Sequence, residues 1–132
     1  MSRVLALLFS LAAAGCLSPT APDAVLGKPF ELKTGASSEL PDGSQLTFSR
    51  VVNDSRCPID AICITAGDAE ISVQLRPPNG QAESRAMHTQ PSGSQISYGS
   101  YTIALTELTP YPQASRPTPV TEHVATFVVT VR

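Results

Sequence analysis

The sequence has no tryptophan, only three tyrosines and four phenylalanines. The Cys–Trp–Cys core of antibody domains is therefore excluded, and aromatic platforms for stacking sugar rings are scarce. Charge is sparse as well: nine Lys and Arg against eleven Asp and Glu, 15% of the chain together. The basic residues are spread out rather than clustered. Phosphate backbones need a concentrated basic surface, so nucleic acid is not an expected partner. No Gly-x-Ser-x-Gly occurs, the many serines fall in turn sequences, and nothing marks a nucleophile with its base or a carboxylate pair. The chain is not expected to be an enzyme, and no catalytic residue is assigned. Long apolar runs are missing too. The most extended one, Val4 to Gly15, is twelve residues, whereas a helix crossing the hydrocarbon core takes about 20.

That run has the layout of an export leader: one positive charge at Arg3, an apolar core, then small residues ahead of Cys16. Ala13-Ala14-Gly15-Cys16 resembles the lipobox of bacterial lipoproteins, in which the cysteine is lipidated and becomes the mature N-terminus. It departs from that pattern at Ala13, where Leu is preferred. Cleavage after Ala14, through Ala12-Ala13-Ala14, is the competing reading. Three cysteines are present, and an exported chain with an odd number needs a use for the unpaired one. Lipidation of Cys16 supplies it and leaves Cys57 and Cys63 for a local disulfide in an oxidising compartment. The expected organisation is a leader at 1–15, a flexible tether at 16–27 containing two prolines, and one domain at 28–132. The location follows: a bacterial cell envelope, lipid-anchored, facing the periplasm or the exterior.

Past Lys28 the apolar period is two, interrupted by Gly, Pro, Asn and Asp, and helical spacing never persists. Ala69, Ile71, Val73 and Leu75 alternate with Glu70, Ser72, Gln74 and Arg76, the clearest half-buried strand. Pro77-Pro78-Asn79-Gly80 ends it, and residues 81–88 should return as a polar edge strand. Val124 to Val131 is apolar on both faces and reads as a central strand, while Pro110 to Pro119 must be loop. About seven short strands in such a length fit an all-β, antiparallel two-layer sandwich of immunoglobulin-like architecture, with a small open barrel as the alternative.

The period breaks between Asn53 and Asp68, NDSRCPIDAICITAGD. Asp54-Ser55-Arg56-Cys57-Pro58, then Cys63-Ile64 and Ala66-Gly67, resembles the D-S-R-C-P…C-[IV]-W-A-G signature of a family of small bacterial envelope proteins of uncharacterised function. Thr65 stands where that pattern has Trp. The resemblance extends to the strands on either side and to Leu108-Thr109-Pro110, and it implies an exported β domain without an assigned activity.

A Cys57–Cys63 bridge would close a loop of about seven residues and stabilise it by roughly 2 kcal/mol. Asp54 can cap the turn with its carboxylate, and Arg56 has Asp54, Asp60 and Asp68 as possible ion-pair partners. One reading makes the segment a structural staple. The other makes it a binding loop in which Asp54, Arg56, Pro58, Asp60, Thr65 and, from the second loop, Tyr111 meet a partner. Zinc at Cys57, Cys63, His88 and His123 is disfavoured by spacing, and calcium at Asp54, Asp60, Asp68 and Glu70 by the lack of an EF-hand pattern. No metal or cofactor is assigned.

The function these readings support is a monomeric, lipid-anchored binding or structural module with an envelope protein as partner. An inhibitor-like secreted protein acting through the Cys57 to Cys63 loop comes second. A hydrolase comes last.

Overall fold

The computed structural model describes residues 23–119 and 121–132. The leader, Cys16 and the first part of the expected tether lie outside the described residues. Within them, eight strands occur: β1 (Pro29–Lys33), β2 (Ser37–Glu39), β3 (Gln45–Asp54), β4 (Ala69–Arg76), β5 (Glu83–His88), β6 (Gln95–Tyr98), β7 (Tyr101–Thr109) and β8 (Val124–Val131). They form two antiparallel four-stranded sheets, ordered β1-β8-β7-β6 and β2-β3-β4-β5. The expected two-layer all-β sandwich is what the chain builds.

Its connectivity differs in detail from an immunoglobulin domain. Apart from β1–β8, every hydrogen-bonded pair of strands is consecutive in the chain, and the path changes sheet only at β1–β2 and β5–β6. That is a meander folded over once, whereas immunoglobulin sandwiches interleave their strands by Greek-key connections. The strand absent from the sequence reading is β2. Its Ser37-Ser38-Glu39 carries no apolar alternation and is held by pairing with β3 and by a Ser37–Thr47 hydroxyl hydrogen bond of 2.8 Å.

Period two places the core. From one sheet Phe30, Leu32, Ile103, Leu105, Ala125, Phe127 and Val129 face inward; from the other Leu46, Phe48, Ala69, Ile71, Val73, Leu75 and Met87 meet them. Phe127 sits at the centre, with Phe48 edge-on at 6.5 Å and Phe30 at 6.1 Å between ring centroids. As expected, β8 is central and β5 is a polar edge, its Glu83 and Arg85 paired at 3.0 Å. A register shift in β7 between Leu105 and Glu107 lets Thr106 stand out of the ladder. The alternation is thereby rephased, and Leu108 returns to the core at 1% exposure.

The chain joins the domain earlier than the expected boundary at Lys28. Ala24 is buried and its N–H donates to Glu39 O at 3.0 Å, while Gly27 N–H donates to Val129 O at 2.8 Å. Residues 24–27 are therefore part of the sandwich rather than of a flexible tether. Both contacts lie at one end of it, where Glu39 faces Gln45 at the start of β3. The β3–β4 loop and the β7–β8 loop lie at the other end, about 30 Å away along the ten residues of β3.

Candidate functional site

At this loop end, β3 runs past a second register irregularity, between Val51 and Asn53, into Asp54. Asp54 Oδ1 accepts the backbone N–H of Arg56 at 3.2 Å, the capped turn that an Asp at this spacing favours. The same carboxylate then grips the Arg56 side chain. Nε donates to Oδ1 at 2.8 Å and Nη2 to Oδ2 at 2.7 Å, a two-pronged, charge-assisted pair.

Arg56 reaches further, with Nη1 donating to Leu108 O at 2.6 Å and Nη2 to Pro110 O at 3.0 Å. Its guanidinium also lies 4.5 Å from the centroid of the Tyr111 ring. One buried cation thus ties the β3–β4 loop to the end of β7 and to the loop after it. Burial alone would raise the Asp54 pKa. The hydrogen bonds and charge of Arg56 outweigh that, helped by His123, and hold the carboxyl below its ordinary value.

The other two acids that had been possible partners of Arg56 are engaged elsewhere. Asp60 accepts from Ala114 N–H at 2.7 Å, from Ser115 N–H at 3.1 Å and from the Ser115 hydroxyl at 2.8 Å. These bonds, the Ala114 amide first, lower its pKa. Ile59 N–H adds a bond to Pro112 O at 3.1 Å, so the two loops are stitched at a second point.

Asp68 secures the return side. It accepts from the Thr89 hydroxyl at 3.0 Å and from Gln90 N–H at 3.1 Å, and its Oδ2 lies 2.6 Å from His88 Nδ1. Burial pushes the Asp68 pKa up, and these donors, His88 foremost, bring it below its ordinary value. An ionised carboxylate can only accept, so Nδ1 carries the proton of that bond. The pair resembles the orienting half of a catalytic triad, yet among the described residues no hydroxyl bonds to His88.

Cys57 and Cys63 are joined, with Cα atoms 5.9 Å apart, as parity and compartment suggested. Below the bridge the two arms of the loop run ladder-like: Ser55 N–H donates to Asp68 O at 2.7 Å and Cys57 N–H to Ala66 O at 2.9 Å. Gly67 makes this closeness possible. Its φ is +69°, and a Cβ there would stand 1.8 Å from Ser55 O, so no other residue fits without moving backbone.

Of the two readings of the segment, the staple with Arg56 paired to Asp54 is found, and the one that offered Arg56 to a partner is corrected: Arg56 is 7% exposed and its charge is directed inward. Asp54 and Asp60 are likewise builders of the base; Pro58 lies inside the Cys57–Cys63 bridge, and Thr65, exposed, lies two residues past it. Tyr111 is half-exposed and covers Arg56.

What the loop does present was missed: Ile59 at 65% exposure, and Ile62 and Ile64 completely exposed. Three β-branched apolar residues within and just past a short disulfide segment are a readable signal. In an all-β chain they look like one more strand, set among Cys and Asp residues with more obvious chemistry. Beside the base runs a groove of about 640 Å³, lined by Glu31, Arg56, Thr89, Glu107, Leu108 and Tyr111 among others.

Compared with protein-family models, with curated proteins and with solved structures, the chain gives no match. The loop end itself therefore carries the functional reading.

Proposed function

We propose that this chain is an envelope-anchored docking module that binds another envelope protein through the apolar tip of its disulfide loop. The observation that supports it is the exposure of Ile59, Ile62 and Ile64 on a segment tied down by a disulfide, by Arg56 and by Asp60. Large apolar side chains left mostly or wholly in water on one short stretch of chain contribute little to the stability of the domain. A rigid base reduces the ordering cost of binding, which is the advantage a preorganised loop has over a flexible one.

The anchor in this proposal is a lipid on Cys16, supported by the lipobox-like run before it, and the domain acts as a monomer facing the periplasm or the exterior. Mass spectrometry of membrane-fraction protein tests the anchor: a lipid adduct on Cys16 is expected, and an unmodified Cys16 contradicts it. For the docking role, Ile62→Ser and Ile64→Ser together should abolish partner association in cells while the protein remains folded and abundant. An unchanged partner profile contradicts that role.

A further inference from the structure

The groove beside the braced base has a chemistry that the isoleucine tip does not use. We infer that it binds a linear aliphatic polyamine, a ligand with ammonium groups at its ends and methylenes between them. The site is distinct from the tip and does not rest on the docking role.

Thr126, on the central strand β8, is paired on one side with Glu31 of β1 and on the other with Glu107 of β7. The two acids thus flank one threonine across three neighbouring strands, about 10 Å apart between Cα atoms. Glu107 is there because of the bulge in β7. Regular alternation from the buried Leu105 would turn Glu107 into the core, and the register shift after Leu105 places it on the exposed side instead.

Both glutamates line the groove of about 640 Å³, a volume in the range of small-molecule sites. Among the described residues neither is in an ion pair. Arg56, which also lines the groove, does not compensate them, because Asp54 takes its charge. Two unmatched negative charges therefore face a concave surface, and anionic ligands are repelled from it.

A divalent metal, a basic peptide and a polyamine all carry the opposite charge, and the surroundings choose among them. Calcium takes about six to eight oxygens, yet among the described residues no three Asp, Glu, His or Cys side chains are gathered to hold an ion. A peptide would bring N–H and C=O groups that need partners. The floor of the groove is the face of a paired sheet whose backbone groups are spent in its own ladders, and the Thr106 hydroxyl is spent on Thr126 O. A polyamine brings no such groups. Its methylenes can lie over Thr126 and against Pro29, and its ends can meet Glu31 and Glu107. Tyr111 adds a half-exposed ring that already lies 4.5 Å from one cation, Arg56.

The test is a titration of the oxidised, ¹⁵N-labelled full chain with spermidine, read from its amide spectrum. The amides of Glu31, Glu107 and Thr126 should shift and saturate at a single equivalent. Glu31→Gln and Glu107→Gln should each weaken binding at least about threefold, and the double variant at least about tenfold. Glu39→Gln, at the far end of the sandwich, should change nothing. Spectra unchanged away from the substituted positions show that the variants are folded. Propylamine, with one charge, and calcium chloride at matched ionic strength should not reproduce the shifts where spermidine saturates.

No shift at Glu31, Glu107 and Thr126, the same shifts from propylamine or calcium, or full affinity in the double variant would each overturn the inference. So would tighter binding of acetyl-Lys-Ala-Lys-amide than of spermidine, which would assign the groove to the lysines of a protein. Each of these outcomes leaves the docking role standing, since that role is tested at Ile62 and Ile64.

Discussion

Arg56 Nη1 donates to the carbonyl of Leu108 at 2.6 Å, across 52 residues of sequence. That bond, with the Asp54 fork and the bond to Pro110 O, places a charged side chain where the two loops of one end converge. Arg56→Ala would leave Asp54 without its cation and two carbonyls without a donor, and should cost about 3–5 kcal/mol. Arg56→Lys keeps the charge but not the planar fork, so it should fall between wild type and Ala. Urea unfolding of the three proteins checks the order; equal midpoints would show that the hub is dispensable.

Gly67 offers a sharper contrast. Gly67→Ala must accommodate a left-handed backbone and a Cβ against Ser55 O, whereas Gly27→Ala, at φ +75° with nothing within 4 Å, meets the backbone penalty alone. We expect about 1 kcal/mol for Gly27→Ala and clearly more, roughly 3 kcal/mol, for Gly67→Ala. Thermal denaturation distinguishes them, and identical losses would contradict the close approach of the two arms.

Acid should loosen this end first. Asp54, Asp60 and Asp68 all have pKa values below the ordinary 3.8 in the fold, so the unfolded chain binds more protons than the folded one in that range. Stability from these groups is complete above the ordinary value and is lost as pH falls below about 4 through the lowered folded values. Unfolding midpoints measured from pH 5 to 2.5 should decline, and the decline should be smaller in Asp54→Asn. A midpoint indifferent to pH, or an Asp54→Asn protein with the full decline, would count against the ion-pair description.

The isoleucines should behave in the opposite way. Ile62→Ser touches a side chain that folding leaves in water, so stability should change by no more than about 0.5 kcal/mol. A loss above about 1 kcal/mol would mean that Ile62 is packed, and the docking reading would lose its main support.

The strands were legible because one-face burial writes period two into the sequence, as Ala69 to Leu75 show. Thr106 breaks that period by standing out of the ladder, and β2 never had it, because Ser37 and Glu39 are held by their neighbours' backbone. Connectivity was out of reach for a similar reason: inward Leu and Val residues look alike in a meander and in a Greek key. At the site, Asp54 as a cap and the Cys57–Cys63 bridge are local and could be read from spacing. The Arg56 contacts could not, since their acceptors are backbone carbonyls at Leu108 and Pro110, which carry no mark in the side-chain sequence.

The central claim is that an apolar tip is held rigid on a braced base, and backbone ¹⁵N relaxation of the oxidised protein measures it directly. Amides of Ile59, Ile62 and Ile64 should have order parameters close to those of the sheets, about 0.8 or above. Values below about 0.6 at all three would describe a loose loop and contradict the claim.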